Sequence, residues 1–188
     1  MVSDTRFPPS IGEASPSSGK TLIIGFGNPD RQDDGVAWHI LSTLAERWGR
    51  TVSESVDDDF GRTEPSPNLA CMLQLTPEVA EILTRYDRVC FVDAHTGAYE
   101  EDIRLETIDP NFQPSPFTHH MTPHTCLMLA ETLYGHAPQA TVISVRGHQF
   151  GFSRNMSPET TALAAETVER IVSWLGLDRA SIPDRATS

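Results

Sequence analysis

Short apolar runs alternate along this chain with stretches whose apolar residues recur every three or four positions. Residues 22–26, Leu-Ile-Ile-Gly-Phe, are too short for a helix and uniformly apolar, which predicts a buried first strand. Val36, Ile40, Leu44 and Trp48 follow at four-residue spacing. They predict one face of a helix, capped by Asp33 or Asp34 and ended by Gly49. A polar stretch over 50–68, with two Ser/Glu-Pro pairs and the acid run Asp57-Asp58-Asp59, predicts a surface loop. A second strand is expected at 69–75, then a helix through Tyr86 opened by Thr76 as cap and Pro77 at its first position.

Residues 88–94, Arg-Val-Cys-Phe-Val-Asp-Ala, predict a third buried strand that ends in a carboxylate. Residues 103–108 alternate polar and apolar, as an edge strand does. Prolines break 112–117 into a loop. Thr122-Pro123 repeats the cap signal and opens a helix whose Cys126, Leu127, Ala130 and Leu133 form an apolar face, stopped by Gly135. A further strand is expected at 141–145. Ser157-Pro158 caps a last helix that directs Leu163, Ile171 and Leu175 to the core and ends at Gly176. The order βαβαββαβα predicts a single α/β domain: a doubly wound, mostly parallel five-stranded sheet flanked by helices, a Rossmann-like three-layer sandwich. The domain is expected over 21–177, between a disordered leader over 1–20 and a flexible tail over 178–188.

Composition narrows the partners. A formal charge of −12 over 188 residues opposes nucleic acid and anionic membrane surfaces, both of which need a basic footprint, while a basic peptide stays acceptable. Cys71, Cys90 and Cys126 lie in or beside apolar runs without Cys-x-x-Cys spacing, the pattern of reduced core thiols. The leader lacks the apolar core of a secretory signal, and no run approaches the ~18 apolar residues of a membrane span. A cytoplasmic protein is expected.

The candidate chemistry gathers after the strands. The turn after the first strand has Gly25 and Gly27 where a dinucleotide loop would, but Asp30 at the third glycine position. Asp30, Asp33 and Asp34 put negative charge where phosphate should sit, against one nearby cation, Arg31. In an open α/β sheet, ligands bind outside the carboxyl ends of the strands. Asp34 after the first strand, Asp93 at the end of the third, and His120 in the loop before the third major helix all belong there. Two carboxylates and an imidazole suit nickel, zinc or a similar divalent ion with coordination positions left open. Bland roles compete: Asp33 or Asp34 as helix caps, and His95, His119 or His124 as loop histidines. His39, His136 and His148 have no motif around them. Ser144 and Ser153 lack an identifiable base, so nucleophilic catalysis has no support. The residues alone reach a divalent-metal α/β hydrolase.

Gly25-Phe-Gly-Asn-Pro-Asp-Arg-Gln-Asp-Asp-Gly-Val36, then Phe91-Val-Asp-Ala94, then Pro116-Phe-Thr-His-His-Met-Thr-Pro123, in this order and spacing, resemble the nickel-iron hydrogenase maturation endopeptidases. The likeness spans 21–175. Leu75-Thr-Pro-Glu-Val-Ala80 resembles one branch of that family, in which a histidine is expected where Leu73 stands.

The resemblance implies a metal-facing catalytic set of Asp34, Asp93 and His120. His120 is preferred to His119 because it stands fifteen residues before Gly135. Asp34 takes a place that some relatives fill with glutamate, which shortens the arm by one methylene. Gly25, Gly27 and Asn28 form the loop expected against the substrate. The implied activity is removal of a C-terminal extension from a nickel-loaded precursor of a nickel-iron hydrogenase large subunit. Nickel is then carried by the substrate rather than permanently bound. Two other readings stand beside it: a metal-dependent hydrolase acting on a small substrate, and a non-catalytic flavodoxin-like binding module.

Overall fold

The computed structural model describes residues 19–54, 66–110 and 121–176. Its elements follow the expected order: β1 (Thr21–Phe26), α1 (Val36–Trp48), β2 (Asn68–Met72), α2 (Val79–Leu83), β3 (Arg88–His95), β4 (Ile103–Ile108), α3 (Pro123–Tyr134), β5 (Gln139–Arg146) and α4 (Pro158–Trp174). The strands form one sheet in the order β2-β1-β3-β5-β4. β2, β1, β3 and β5 pair in parallel, and β4 closes one edge antiparallel to β5. β1 leads outward to β2 on one side and lies against β3 on the other, so the crevice between β1 and β3 is where the winding reverses.

Each inner strand is apolar on both faces because each face meets a helical layer. Leu22 and Ile24 of β1 and Val89 and Phe91 of β3 pack with Val79, Ile82 and Leu83 of α2 and Cys126, Leu127 and Ala130 of α3. Ile23, Cys90 and Val92 face the opposite way, onto Val36, Ile40, Leu41 and Leu44 of α1 and Ala164, Val168 and Ile171 of α4. Cys71, Cys90 and Cys126 are free and buried, as expected. Burial pushes the Cys71 and Cys126 thiols up to about 12, which keeps them protonated and unreactive.

Several local expectations are corrected. β2 stops at Met72, and Leu73 is 62% exposed. The helix expected from Pro77 starts only at Val79: the Thr76 and Pro77 carbonyls accept from Val79 and Ala80 in tight turns, and no side chain caps the start. Leu133, placed on the apolar face of α3, is 65% exposed. Leu163 and Leu175 are only partly buried, and Ala164, Val168 and Val172 join Ile171 in the core. The Thr122 and Ser157 caps are formed, accepting from the Thr125 and Thr160 N–H groups. The leader, the tail, the acid run Asp57-Asp58-Asp59 and the loop over 112–117 lie mainly or wholly outside the described residues.

The largest correction concerns Asp33. It does not cap α1, which begins at Val36 with Gly35 in the cap position and no side-chain cap, after a 3-10 turn over Gln32–Gly35. Asp33 is 0% exposed, and its carboxylate points at the segment between β5 and α4. It accepts from the His148, Gln149 and Ser157 N–H groups at 2.7, 2.8 and 2.7 Å and from the Ser157 and Thr160 hydroxyls at 2.7 and 2.9 Å. Burial opposes its ionisation, but these donors outweigh it, led by the Ser157 N–H, and hold the carboxyl at about 2. A folded value below the ordinary 3.8 means stability present above about pH 4 and lost as pH falls toward 2. At roughly 1.4 kcal/mol per unit, the contribution is on the order of 2–3 kcal/mol. Urea denaturation of Asp33→Asn should show a loss of about that size at pH 7, shrinking as pH falls below about 4. An equal difference at pH 7 and pH 3 would contradict the assignment of an ionised Asp33.

Candidate functional site

The turn after β1 is closed by its own backbone. Gly27 has φ +136°, and the space a side chain would need there is filled by the Asp34 carbonyl. Gly25 lies where a Cβ would press on Ala37 and on the Cys71 sulfur at 3.1 and 3.2 Å. Both glycines therefore serve close packing of strand, turn and helix. The backbone donors that would cradle a phosphate are consumed: Gly27 N–H goes to Met72 O, Asn28 N–H to Asp34 Oδ2, Asp30 N–H to Asn28 Oδ1 and Arg31 N–H to Asn28 O. Gln32, Asp33 and Asp34 N–H go to Ser153, Gln149 and Arg31 carbonyls. An acidic turn without free N–H groups opposes nucleotide binding.

Asp34 is half-buried in this turn. Its Oδ2 accepts from Asn28 N–H at 3.0 Å, which fixes one carboxylate oxygen. Asn28 thus positions Asp34. Across the crevice, Asp93 of β3 stands beside Ser144 of β5 in register, and the Ser144 hydroxyl donates to Asp93 Oδ1 at 2.6 Å. Burial pushes the Asp93 carboxyl up to about 6; the Ser144 hydroxyl pulls it down, and the nearby Asp34 charge pushes it further up. Each carboxylate thus has one anchored oxygen, and the two are close enough for their charges to interact.

A cleft of about 220 Å³ opens on Asp93, lined also by Ser144, Arg104, Glu106, Tyr99 and His124. Arg104 lies 4.3 Å above the Tyr99 ring and pairs with Glu106 at 3.2 Å. His124, in the first turn of α3, has its ring held toward the neutral form by burial, opposed by Glu106. A larger cleft of about 780 Å³, lined by Arg88, Asp109 and Trp174 among others, lies at the opposite end of the sheet, away from both carboxylates.

Asp34 and Asp93 lie close enough for their charges to interact, while His119 and His120 fall outside the described residues. His95 is 6% exposed beneath Tyr99, and its Nδ1 accepts from Gly97 N–H. Its Nε2 is buried without a hydrogen-bond partner among the described residues. The Gly97 bond serves the loop after β3. Among the described residues no three His, Cys, Asp or Glu side chains converge to hold a metal ion, so the described part of the site supplies two oxygen donors. Ser144, dismissed in the sequence as a nucleophile without a base, is a positioning group for Asp93. Aligning the carboxyl ends of the strands around 93 and 144 would have revealed it.

No protein-family model matches the chain, and no curated protein matches its sequence. Solved structures do match its fold. The NiFe hydrogenase maturation protease HycI from Thermococcus kodakarensis superposes with TM-score 0.57 at 20% identity, covering 85% of this chain and 95% of its own. The hydrogenase maturating endopeptidase HybD from E. coli gives 0.57 at 18% identity, over 84% of this chain and 92% of its own. HybD from Thermococcus kodakarensis gives 0.55 at 16%, over 83% and 99%.

The raised Asp93 has a measurable consequence. A carboxyl whose folded value of about 6 lies above its ordinary 3.8 binds its proton more tightly in the native state. Stability is therefore lost as pH rises from about 4 through 6. Asp93→Asn removes the charge and keeps the shape, so thermal unfolding should show it more stable than the parent at pH 7.5, by on the order of 1–3 kcal/mol, with the gain disappearing near pH 4. A variant less stable than the parent at pH 7.5 would contradict the assigned environment. The crevice geometry and the superpositions agree on one architecture: this chain has the α/β fold of the hydrogenase maturation proteases.

Proposed function

We propose that this protein is an endopeptidase that removes the C-terminal extension of a nickel-loaded precursor of a nickel-iron hydrogenase large subunit. The observation that carries the reading is the proximity of Asp34 and Asp93 near the carboxyl ends of β1 and β3, close enough for their charges to interact and each with one oxygen anchored by a hydrogen bond. Their motif order and the shared fold support it. His120 completes the set by its place in the motif. In this reading nickel arrives with the substrate, and the free carboxylate oxygens and the imidazole reach toward it.

Peptide hydrolysis needs a group that takes a proton from attacking water and returns one to the leaving amine. A carboxyl titrating near 6 does both close to neutral pH. Asp34, held by Asn28, supplies a second negative charge beside it. Substrate-held nickel would polarise the scissile carbonyl or the water. Requiring the metal restricts cutting to precursors that carry it, because the ion contributes affinity that an empty precursor lacks. The consumed N–H groups of the β1 turn weigh against the binding-module reading.

Purified protein should trim nickel-loaded precursor once, and Asp34→Ala, Asp93→Ala and His120→Ala should each lower kcat/KM by roughly 10² or more while retaining a native circular dichroism spectrum. Three folded variants that trim at the parental rate would sink the proposal. Metal analysis of the protein purified without chelator separates it from the hydrolase with a resident ion, which requires stoichiometric retained metal.

A further inference from the structure

Asp93, Ser144 and Arg104 stand in one row across three strands. Asp93 of β3 is in register with Ser144 of β5, and Ser144 is in register with Arg104 of β4. Neighbouring strands lie ~4.8 Å apart, which puts the Arg104 Cα about 10 Å from that of Asp93. All three residues line the same cleft of about 220 Å³, with Tyr99, Glu106 and His124. Pockets that enclose a whole small molecule run to roughly 300–1,000 Å³. A space of this size takes part of a chain rather than a whole ligand.

The arginine is held from two sides. Its guanidinium lies 4.3 Å over the Tyr99 ring, and its Nε and Nη2 both donate to Glu106 Oε2, at 3.3 and 3.2 Å. Tyr99 is held edge-on by His95, with ring centroids 5.1 Å apart, and His95 Nδ1 accepts from Gly97 N–H. Both Glu106 bonds fall on one oxygen, so Arg104 Nη1 donates to nothing among the described residues. A long side chain is thus fixed in advance with two N–H donors unused, which limits the rotamer freedom lost on binding. An ion pair between half-exposed side chains adds little to stability. The fold by itself gives no strong reason for the arrangement.

The charge along the row selects the acceptor. Arg104 is the one Lys or Arg that lines this cleft among the described residues, against Asp93 and Glu106, with the Asp34 charge nearby. An acidic side chain entering there meets repulsion from those carboxylates and competes with Glu106 for the guanidinium. A neutral peptide carbonyl takes the unused donors without that repulsion.

We propose that Arg104 is a substrate-binding residue, donating to a main-chain carbonyl of the precursor and so setting the register of the cut on Asp93. This rests on the endopeptidase reading. At ~3.3 Å per residue, the bound carbonyl lies about three extended residues from the scissile bond.

The test uses full-length protein and purified nickel-loaded precursor. Arg104→Met keeps the stem and removes the donors. It should raise KM at least about tenfold, the loss of one charge-assisted hydrogen bond, with kcat and its pH profile as in the parent. Arg104→Lys keeps the charge and a partner for Glu106 but not the fork, so its KM should fall between the two. Thermal unfolding of both variants should overlay the parent, and the Lys variant decides the question even where Arg104→Met is unfolded. Alanine replacement of each acidic or amide side chain of the precursor within about four residues of the cut should leave the Arg104→Met defect undiminished. Parental KM in both variants, or a fall in kcat at constant KM, would overturn the proposal. So would one precursor replacement that reproduces the defect in the parent and adds nothing in Arg104→Met, which assigns the arginine to that side chain. Failure of the parent to trim would instead overturn the endopeptidase reading.

Discussion

Asp33 stays ionised without solvent access because backbone and hydroxyl donors from His148, Gln149, Ser157 and Thr160 converge on it. A buried charge is tolerated only when its lone pairs are taken up in this way. Meeting that requirement ties the turn after β1 to the loop after β5 and to the first turn of α4, three segments remote in sequence. Ser157 is drawn in twice, donating to Asp33 and accepting from Thr160 N–H as the cap of α4. The rim of the sheet is thereby held fixed, and the conformation of the Asp34 turn follows from it.

With Asp33 committed to the loop after β5, its neighbour Asp34 turns to its own loop, where it accepts from Asn28 N–H. The acids differ in their surroundings rather than in chemistry. Asp33 meets donors on every side and falls to about 2; Asp93 meets apolar strand, one hydroxyl and the Asp34 charge, and rises to about 6. The first environment stabilises the fold at neutral pH, and the second costs stability there. On the proposed reading, that cost, kept at the carboxyl end of a central strand beside the point where the winding reverses, is retained for chemistry.

The order of elements was legible because period-2 and period-3.6 apolar patterns, glycine stops and Ser/Thr-Pro caps are local signals. Ser157 and Thr122 cap as expected, and Gly49 and Gly135 take left-handed conformations at φ +63° and +72°. What failed was long-range. Asp33 looked like a cap for α1 because its true partners lie more than a hundred residues away. At Gly25 and Gly27 the space a side chain would need is taken by Ala37, Cys71 and the Asp34 carbonyl, partners that no local spacing announces. Ser144 was passed over since only sheet register sets it beside Asp93. That Asp34 and Asp93 lie near one another was readable because strand ends in this fold class converge, whereas the clasp of Gln32 on Gln149 and Gly151 depends on side-chain contacts that no spacing encodes.

On the proposed reading, the carboxylate pair acts on a peptide presented beside a metal that belongs to the substrate. The most direct measurement is intact-mass analysis of a hydrogenase large-subunit precursor incubated with the purified protein, comparing nickel-loaded with nickel-free precursor. The account predicts a single loss of C-terminal mass confined to the nickel-loaded form. An unchanged mass in both forms, or equal cutting of both, would contradict it.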